Sequence, residues 1–157
     1  METQTIDKQK IRGILLNLVA KNRQVIYGAT SVNYYLPPHL RRETKDIDIL
    51  TKKPKMYAEE AVRELNKNIK NGFRVEEAKH VGTFKVKDVK TGKTIADYTR
   101  TTKQPKSYNL FGVRFATEKY SEGKLKKVLR DEASKHRWEK DRDTLQRIKQ
   151  ARKGISW

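Results

Sequence analysis

The sequence has no cysteine at any of its 157 positions. That absence excludes disulfide bonds, zinc sites built on thiolates and catalysis by a cysteine nucleophile. Long apolar runs are also missing, because no stretch approaches the roughly 18 apolar residues of a membrane-spanning helix and the amino terminus has no signal-peptide core. These features are typical of an intracellular protein, so we expect a cytoplasmic chain with no membrane partner.

Two common catalytic motifs are absent as well. The sequence contains neither a glycine-rich phosphate loop ending in Lys-Ser or Lys-Thr nor the Gly-x-Ser-x-Gly turn of serine hydrolases. Its three histidines, His39, His80 and His136, lack companions at the spacing of metal ligands, so we do not expect a zinc site.

Acidic residues are scarce beside basic ones. The chain has 37 Lys and Arg against 19 Asp and Glu, a formal net charge of +18 at pH 7. A field of this sign attracts polyanions and speeds their association. Nucleic acid is therefore the expected partner, with a basic protein that has no such partner as the alternative.

The length fits one domain, so we expect residues 1–157 to form a single unit. Apolar periodicity predicts both helices and strands, with a strongly charged basic helix near the carboxyl end. Asp7 is expected to cap the first helix, and Phe111, Val113 and Phe115 are expected on one face of the last strand. The predicted helices are 7–21, 30–36, 55–70, 117–129 and 133–152, and the predicted strands are 24–27, 46–51, 73–78, 83–89, 94–98 and 110–115.

Residues 25–50 stand out. A short apolar run breaks at Gly28, a brief helix follows, and the segment ends in Asp46-Ile47-Asp48. Alternate side chains of a strand share a face, so Asp46 and Asp48 point the same way. Neither has a Lys or Arg at the same-face spacing, so a divalent cation is expected to neutralise the pair. A surface strand with two solvated aspartates is the alternative.

This combination of a strand, a glycine turn opening a helix and an Asp-x-Asp strand resembles the polymerase-beta-like nucleotidyltransferase superfamily. The resemblance is closest to its small antitoxin-like and viral poly(A)-polymerase-like branches, which often read Thr-Lys-Asp-x-Asp as residues 44–48 do. It implies an α+β fold with a small mixed β-sheet and helices packed mainly on one face. It also implies Mg²⁺ or Mn²⁺ held by acidic residues, and a nucleoside triphosphate as substrate.

The resemblance requires a third acid on a strand beside the Asp-x-Asp strand, and Asp97 is the leading candidate. A lone carboxylate within an apolar strand is costly unless a metal, a base or hydrogen bonds neutralise it. Asp88 is the rival, more simply explained as a solvated hairpin residue, and Glu76 and Glu77 are weaker ones.

Further residues are candidates for binding phosphates. The glycine turn and its helix N-terminus imply Gly28, Thr30 and Ser31, joined by Arg42 and Lys45 from the following loop. Candidate nucleic-acid contacts are Arg100 and Lys103 after the Asp97 strand, and Arg137 and Lys140, which match an Arg-x-x-Lys-Asp pattern of small nucleotidyltransferases. The alternatives are helix capping for Thr30 and Ser31, a solvated loop for Arg42 and Lys45, and a basic helix with i,i+4 salt bridges for Arg137 and Lys140.

Three functions remain open at this point. The first is metal-dependent nucleotidyl transfer to a nucleic-acid end or a related hydroxyl. The second is a metal-dependent nuclease that uses the same acids, and the third is a nucleic-acid-binding module without catalysis. Ala29 replaces a second small glycine or serine and argues mildly against transfer, whereas the intact acids argue against binding alone. The sequence predicts no oligomeric state.

Overall fold

The computed structural model describes residues 2–41, 44, 46–70 and 72–155. Within these ranges the chain forms five α-helices and seven β-strands, with short 3-10 helices at Pro38–Leu40 and Glu132–Arg137. No helix in the described ranges is both long and apolar enough to cross a membrane. The helices are α1 (Glu2–Lys21), α2 (Gly28–Tyr35), α3 (Pro54–Asn68), α4 (Glu118–Val128) and α5 (Trp138–Ile155). The strands are β1 (Val25–Tyr27), β2 (Ile47–Thr51), β3 (Phe73–Glu77), β4 (Thr83–Asp88), β5 (Thr94–Arg100), β6 (Ser107–Leu110) and β7 (Val113–Ala116).

All seven strands form one sheet in the order β3-β4-β5-β2-β1-β7-β6. Strand β2 pairs antiparallel with β1 and parallel with β5, and β1 pairs parallel with β7. The other neighbours are antiparallel. The sheet is therefore mixed, which confirms the α+β fold expected from the sequence. Its centre joins strands that are distant along the chain.

The main core lies between the sheet and helices α1 and α3. Leu15 and Val19 of α1 and Leu65 of α3 are almost fully buried, together with Ile26 and Ile49 of the central strands. Burying each such side chain contributes roughly 1.5–3 kcal/mol. The apolar residues at helical spacing along α3 are buried, and the set comprises Ala58, Ala61 and Leu65, with Ile69 directly after the helix.

A second apolar cluster joins α2 to the carboxyl-terminal helices. Val32 and Leu36 pack with Ile148 and Ala151 of α5, and Leu125 of α4 lies against them. Thr117 caps α4 by accepting the backbone N–H of Tyr120. The basic helix predicted at 133–152 begins only at Trp138, because a 3-10 helix precedes it.

Two local predictions are wrong. Phe111 does not lie in a strand: it forms, with Gly112, the two-residue tip of the β6–β7 hairpin and is fully exposed. Both tip residues have positive φ, 53° for Phe111 and 87° for Gly112, as in the primed turns whose twist suits a tight hairpin. Asp7 does not cap α1, because the helix extends to Glu2.

Candidate active site

Three carboxylates meet near the middle of the sheet. Asp46 lies just before β2, Asp48 is within β2, and Asp97 is its register partner on the parallel strand β5. One oxygen from each lies within 4.8 Å of the others. The parallel pairing of β2 with β5 thus places side by side two acids that are 49 positions apart in the sequence (97 − 48).

The rival acids lie elsewhere. Asp88 ends β4 and accepts the backbone N–H of Lys90 at 2.9 Å, which shapes the hairpin. It is only 5% exposed, so the expectation of a solvated residue is wrong. Glu76 forms an ion pair with Lys87 at 2.8 Å. Glu77 is directly opposite Phe84, on the other face of the sheet from Glu76.

Burial and mutual repulsion both act on the acids. The pKa of Asp48 is raised, chiefly because burial disfavours its charge and then because Asp46 is negative. The pKa of Asp97 is raised by burial, by a hydrogen bond with Asp46 and by the two neighbouring charges. Asp97 Oδ1 is buried with no hydrogen-bond partner in the described part of the chain. Such an all-carboxylate set, with one oxygen unsatisfied, fits a hard divalent cation such as Mg²⁺ or Mn²⁺.

Gly28 begins α2 directly beside the acids. Its φ of +73° is in the left-handed region, and a Cβ at this position would lie 2.5 Å from Asp48 Oδ2 and 3.3 Å from its Cγ. Both facts require glycine here. The helix predicted at 30–36 begins two residues earlier in the structure, at Gly28, so its amino-terminal turn lies next to Asp48.

The hydroxyls of Thr30 and Ser31 are buried and already bonded. Thr30 donates to the carbonyl oxygen of Asp46 at 3.3 Å, which ties α2 to the acids. Ser31 donates to the carbonyl oxygen of Gly28 at 3.0 Å and lies 3.5 Å from the hydroxyl of Ser121 in α4. These contacts give both side chains a structural role, and their predicted contact with phosphate remains a prediction.

Positive charge reaches the acids from the carboxyl-terminal helices. Arg137 and Lys140 both lower the pKa of Asp48 through their charge, so the structure brings these two predicted residues near the acids. Arg137 also pairs with Asp141 at 3.7 Å.

Sequence reasoning missed two lysines. Lys124 of α4 holds its ammonium group 4.3 Å from the ring centroid of Tyr27. Its pKa is lowered by burial of the charge and raised by Asp48, which places it near the acids too. Lys124 is one of several lysines in its helix, so no pattern distinguishes it. Lys85 is directly opposite Asp97 on β4, a relation set only by strand register.

The remaining predicted residues are not brought to the acids. Arg100 follows Tyr98 in the alternation of β5, on the face opposite Asp97, and lines a separate cavity. Lys103 lies in the loop after β5, where its carbonyl oxygen accepts the hydroxyl of Thr101. Arg42 and Lys45 lie outside the described residues.

Comparison with solved structures shows which fold this is. The Megavirus polyadenylate synthase superposes with a TM-score of 0.81 over 96% of this chain, at 18% identity. A candidate nucleotidyltransferase from H. pylori gives 0.51 over 83% at 17% identity, and JHP933 from Helicobacter pylori gives 0.50 over 83% at 14%. The chain therefore has the fold of these solved structures, and two of the three are described as a polyadenylate synthase and a nucleotidyltransferase. No protein-family model and no curated protein sequence matches it.

The chain spans about a third of the Megavirus protein, 32% of its length, and 59–60% of the two H. pylori proteins. At these identities the likeness shows the fold and no more. The resemblance stated from residues 25–50 is thereby confirmed at the level of fold.

Proposed function

We propose that this protein is a metal-dependent nucleotidyltransferase that acts on a nucleic-acid end or a related hydroxyl acceptor. The observation that carries the proposal is the convergence of Asp46, Asp48 and Asp97 within 4.8 Å beside the Gly28 turn. The fold and the net charge of +18 support the same substrate class.

The three acids would hold Mg²⁺ or Mn²⁺. When bound, the cation stabilises negative charge on the phosphates and lowers the pKa of the attacking hydroxyl. In the proposed reaction the acceptor oxygen attacks the α-phosphorus of a nucleoside triphosphate, the bond to the bridging oxygen breaks, and pyrophosphate leaves.

Basic side chains near the acids would stabilise the negative charge of the pyrophosphate leaving group. Lys124, Arg137 and Lys140 all act on Asp48 through their charge, so a triphosphate bound at the acids would lie within the same field. Positive groups fixed before the reaction stabilise developing phosphate charge without reorganisation. The amino-terminal turn of α2 adds its free N–H groups beside Asp48.

The Megavirus neighbour is a polyadenylate synthase, so ATP is the first nucleotide to test. A supply of nucleoside triphosphates and the cysteine-free composition both fit an intracellular setting, which is part of the proposal.

An end-labelled oligonucleotide assay tests the proposal. Labelled RNA and DNA are incubated with Mg²⁺ or Mn²⁺, with and without each nucleoside triphosphate, and resolved on a gel. The variant Asp48→Asn removes a ligand charge while keeping side-chain size. Glu132→Gln, an equally conservative change at an exposed residue, is the matched control.

Products that lengthen only with triphosphate, and that are lost in Asp48→Asn but kept in Glu132→Gln, are expected. Shortened products that form without triphosphate and require Asp48 would show that the same acids act as a nuclease and not in nucleotidyl transfer. Retarded but unaltered oligonucleotide would leave a binding module. Product formation that survives Asp48→Asn would show that the site lies elsewhere.

A further inference from the structure

A second basic site lies where strands β2 and β5 end. An open cavity of about 630 Å³ is lined there by Lys52, Lys53 and Lys55, which follow β2, and by Arg100, the last residue of β5. Arg100 is three residues beyond Asp97, about 10 Å along the strand, and its side chain belongs to the opposite face. The cavity is therefore separate from the acids.

These four cations have no partner within the described part of the chain. None of them forms an ion pair or a side-chain hydrogen bond there, whereas Lys87 and Arg152 are both engaged by carboxylates. Two carboxylates, Glu59 and Glu77, also line the cavity, which leaves a formal charge of +2 (four cations minus two acids). Unpaired, exposed cations around a concavity are free to meet an anionic ligand without breaking existing contacts.

The start of α3 adds to this field. Pro54 is its first residue, no side chain caps it, and its first turn contains no acidic residue. The partial positive charge of the helix N-terminus is therefore unopposed by any carboxylate of that first turn. This feature only strengthens a site that the four side chains define.

The cavity also exposes apolar surface. Val81 is 91% exposed and Met56 is 46% exposed, and both line the cavity together with the half-buried ring of Phe84. A positively charged groove that follows the backbone, beside aromatic side chains on which bases stack, is typical of sites for single-stranded nucleic acid, and Phe84 is the aromatic residue here. A duplex hides the faces of its bases, and a peptide of acidic residues alone has no apolar group to place on this surface.

We propose that this cavity binds single-stranded nucleic acid at a site distinct from the three acids. Lys52, Lys53, Lys55 and Arg100 contact the phosphates, and Met56, Val81 and Phe84 contact an unstacked base. The proposal rests on the nucleic-acid substrate of the proposed function but on none of its chemistry. It gives Arg100, which the fold turns away from the acids, a role in holding the strand.

The test measures binding without chemistry. A fluorescent single-stranded RNA of roughly ten nucleotides, within the usual footprint of such sites, is titrated in EDTA without triphosphate, and anisotropy is recorded at several salt concentrations. The cavity variant is Lys52→Ala/Lys53→Ala/Lys55→Ala. The matched control is Lys70→Ala/Lys90→Ala/Lys93→Ala, which removes the same charge from exposed positions at the opposite end of α3 and β4.

Each phosphate contact on a single strand contributes about 0.7 to the slope of log K against log salt. Loss of three contacts should reduce the slope by about 2 and weaken binding by up to roughly 100-fold at 0.1 M salt. The control should change binding less than about threefold at matched salt, because its lysines would contribute only to the long-range field. Thermal melts establish that both variants are folded.

Equal weakening in both variants would overturn the proposal, since binding would then depend on net charge alone. A duplex or a polyglutamate peptide that competes as well as the single strand would overturn the choice of ligand. The binding assay contains neither divalent cation nor triphosphate. Failure of the transfer assay would therefore not remove the cavity-dependent binding, and the two proposals can fail separately.

Discussion

Neutralising one acid of the cluster should stabilise the metal-free protein. Oxygens of Asp46, Asp48 and Asp97 lie within 4.8 Å of one another. At an effective dielectric constant of about 20, two full charges at that distance repel by about 3.5 kcal/mol. Protonation relieves part of this repulsion, because the pKa values of Asp48 and Asp97 are raised. We therefore expect Asp48→Asn to gain roughly 1–3 kcal/mol at pH 8, a Tm increase of roughly 3–10 °C for a domain of this size.

The gain should depend on pH in a defined direction. A raised pKa means that the folded protein binds more protons than the unfolded chain above the ordinary aspartate value of about 3.9. The stability contributed by these two carboxyls is therefore fully present below that value and is lost as pH rises through the raised values. The advantage of Asp48→Asn should be small near pH 4 and largest near pH 8. Thermal melts in EDTA across this range measure it.

Added divalent cation should reverse the order of stability of the natural sequence and Asp48→Asn. A ligand that binds only the folded state stabilises it by about 2.7 kcal/mol at one hundred times its dissociation constant. Mn²⁺ should raise the Tm of the natural sequence at pH 8 and have little effect on Asp48→Asn. Asp88→Asn is the matched control, a buried aspartate outside the cluster, and should keep the metal response. A loss of stability in metal-free Asp48→Asn at pH 8, or an unchanged response to Mn²⁺, would refute the reasoning.

Three further substitutions test the fold around the site. Gly28→Ala should lower the free energy of unfolding by at least about 1–2 kcal/mol, the cost of left-handed backbone for a residue with a Cβ. It should also abolish the Mn²⁺ response, because the added Cβ would displace Asp48. Thermal melts with and without metal measure both effects. Phe111→Asn should raise stability by up to about 1 kcal/mol in chemical denaturation, since asparagine tolerates the φ of 53° and the exposed ring has no packing to lose. Ile148→Ala should cost about 2–5 kcal/mol in the same assay, and a loss below 1 kcal/mol would contradict the packing of α5 on α2.

Local patterns in the sequence predicted local features well. The apolar face of α3 follows from spacing of three and four residues, and the shared face of Asp46 and Asp48 follows from strand alternation. Asp97 was predicted because it is a lone acid in an apolar strand and because the resemblance requires a third carboxylate. The first two inferences used only information within about ten neighbouring residues, whereas Asp97 also needed the resemblance carried by residues 25–50.

Features that depend on residues far apart in the sequence were not predicted. The strand around Asp97 was expected to end at residue 98, so Arg100 was assigned to a loop beside the acids. Pairing of β5 with Thr51 extends the strand to Arg100, and the odd spacing from Asp97 then places its side chain on the other face. Lys85 was not predicted as a neighbour of the acids for a related reason, since its position opposite Asp97 depends on the register of β4. No sequence pattern reports such a register directly.

Strand register also explains why the carboxyl-terminal helices matter to the site. One row of side chains crosses five strands through directly opposed residues: Glu76, Lys85, Asp97, Asp48 and Tyr27. Opposite charges alternate along it until Asp97 meets Asp48, where two acids are direct neighbours and Asp46 adds a third. Lys85 is the one base in this row, so the row itself does not balance the three acids of the cluster. Further positive charge comes from outside the sheet: from Lys124 of α4, from Lys140 of α5 and from Arg137, the last residue of the preceding 3-10 helix.

The packing of α5 on α2 through Ile148 therefore has an electrostatic consequence beyond stability. It holds Arg137 and Lys140 near the acids, and α4 supplies Lys124. Any change that loosens this packing should weaken affinity for an anionic nucleotide while leaving the three carboxylates, fixed by β2 and β5, in place. A site built only from the Asp-x-Asp strand and its neighbour would attract a cation but repel a triphosphate. Under the proposed function, the carboxyl-terminal helices would allow one site to hold both.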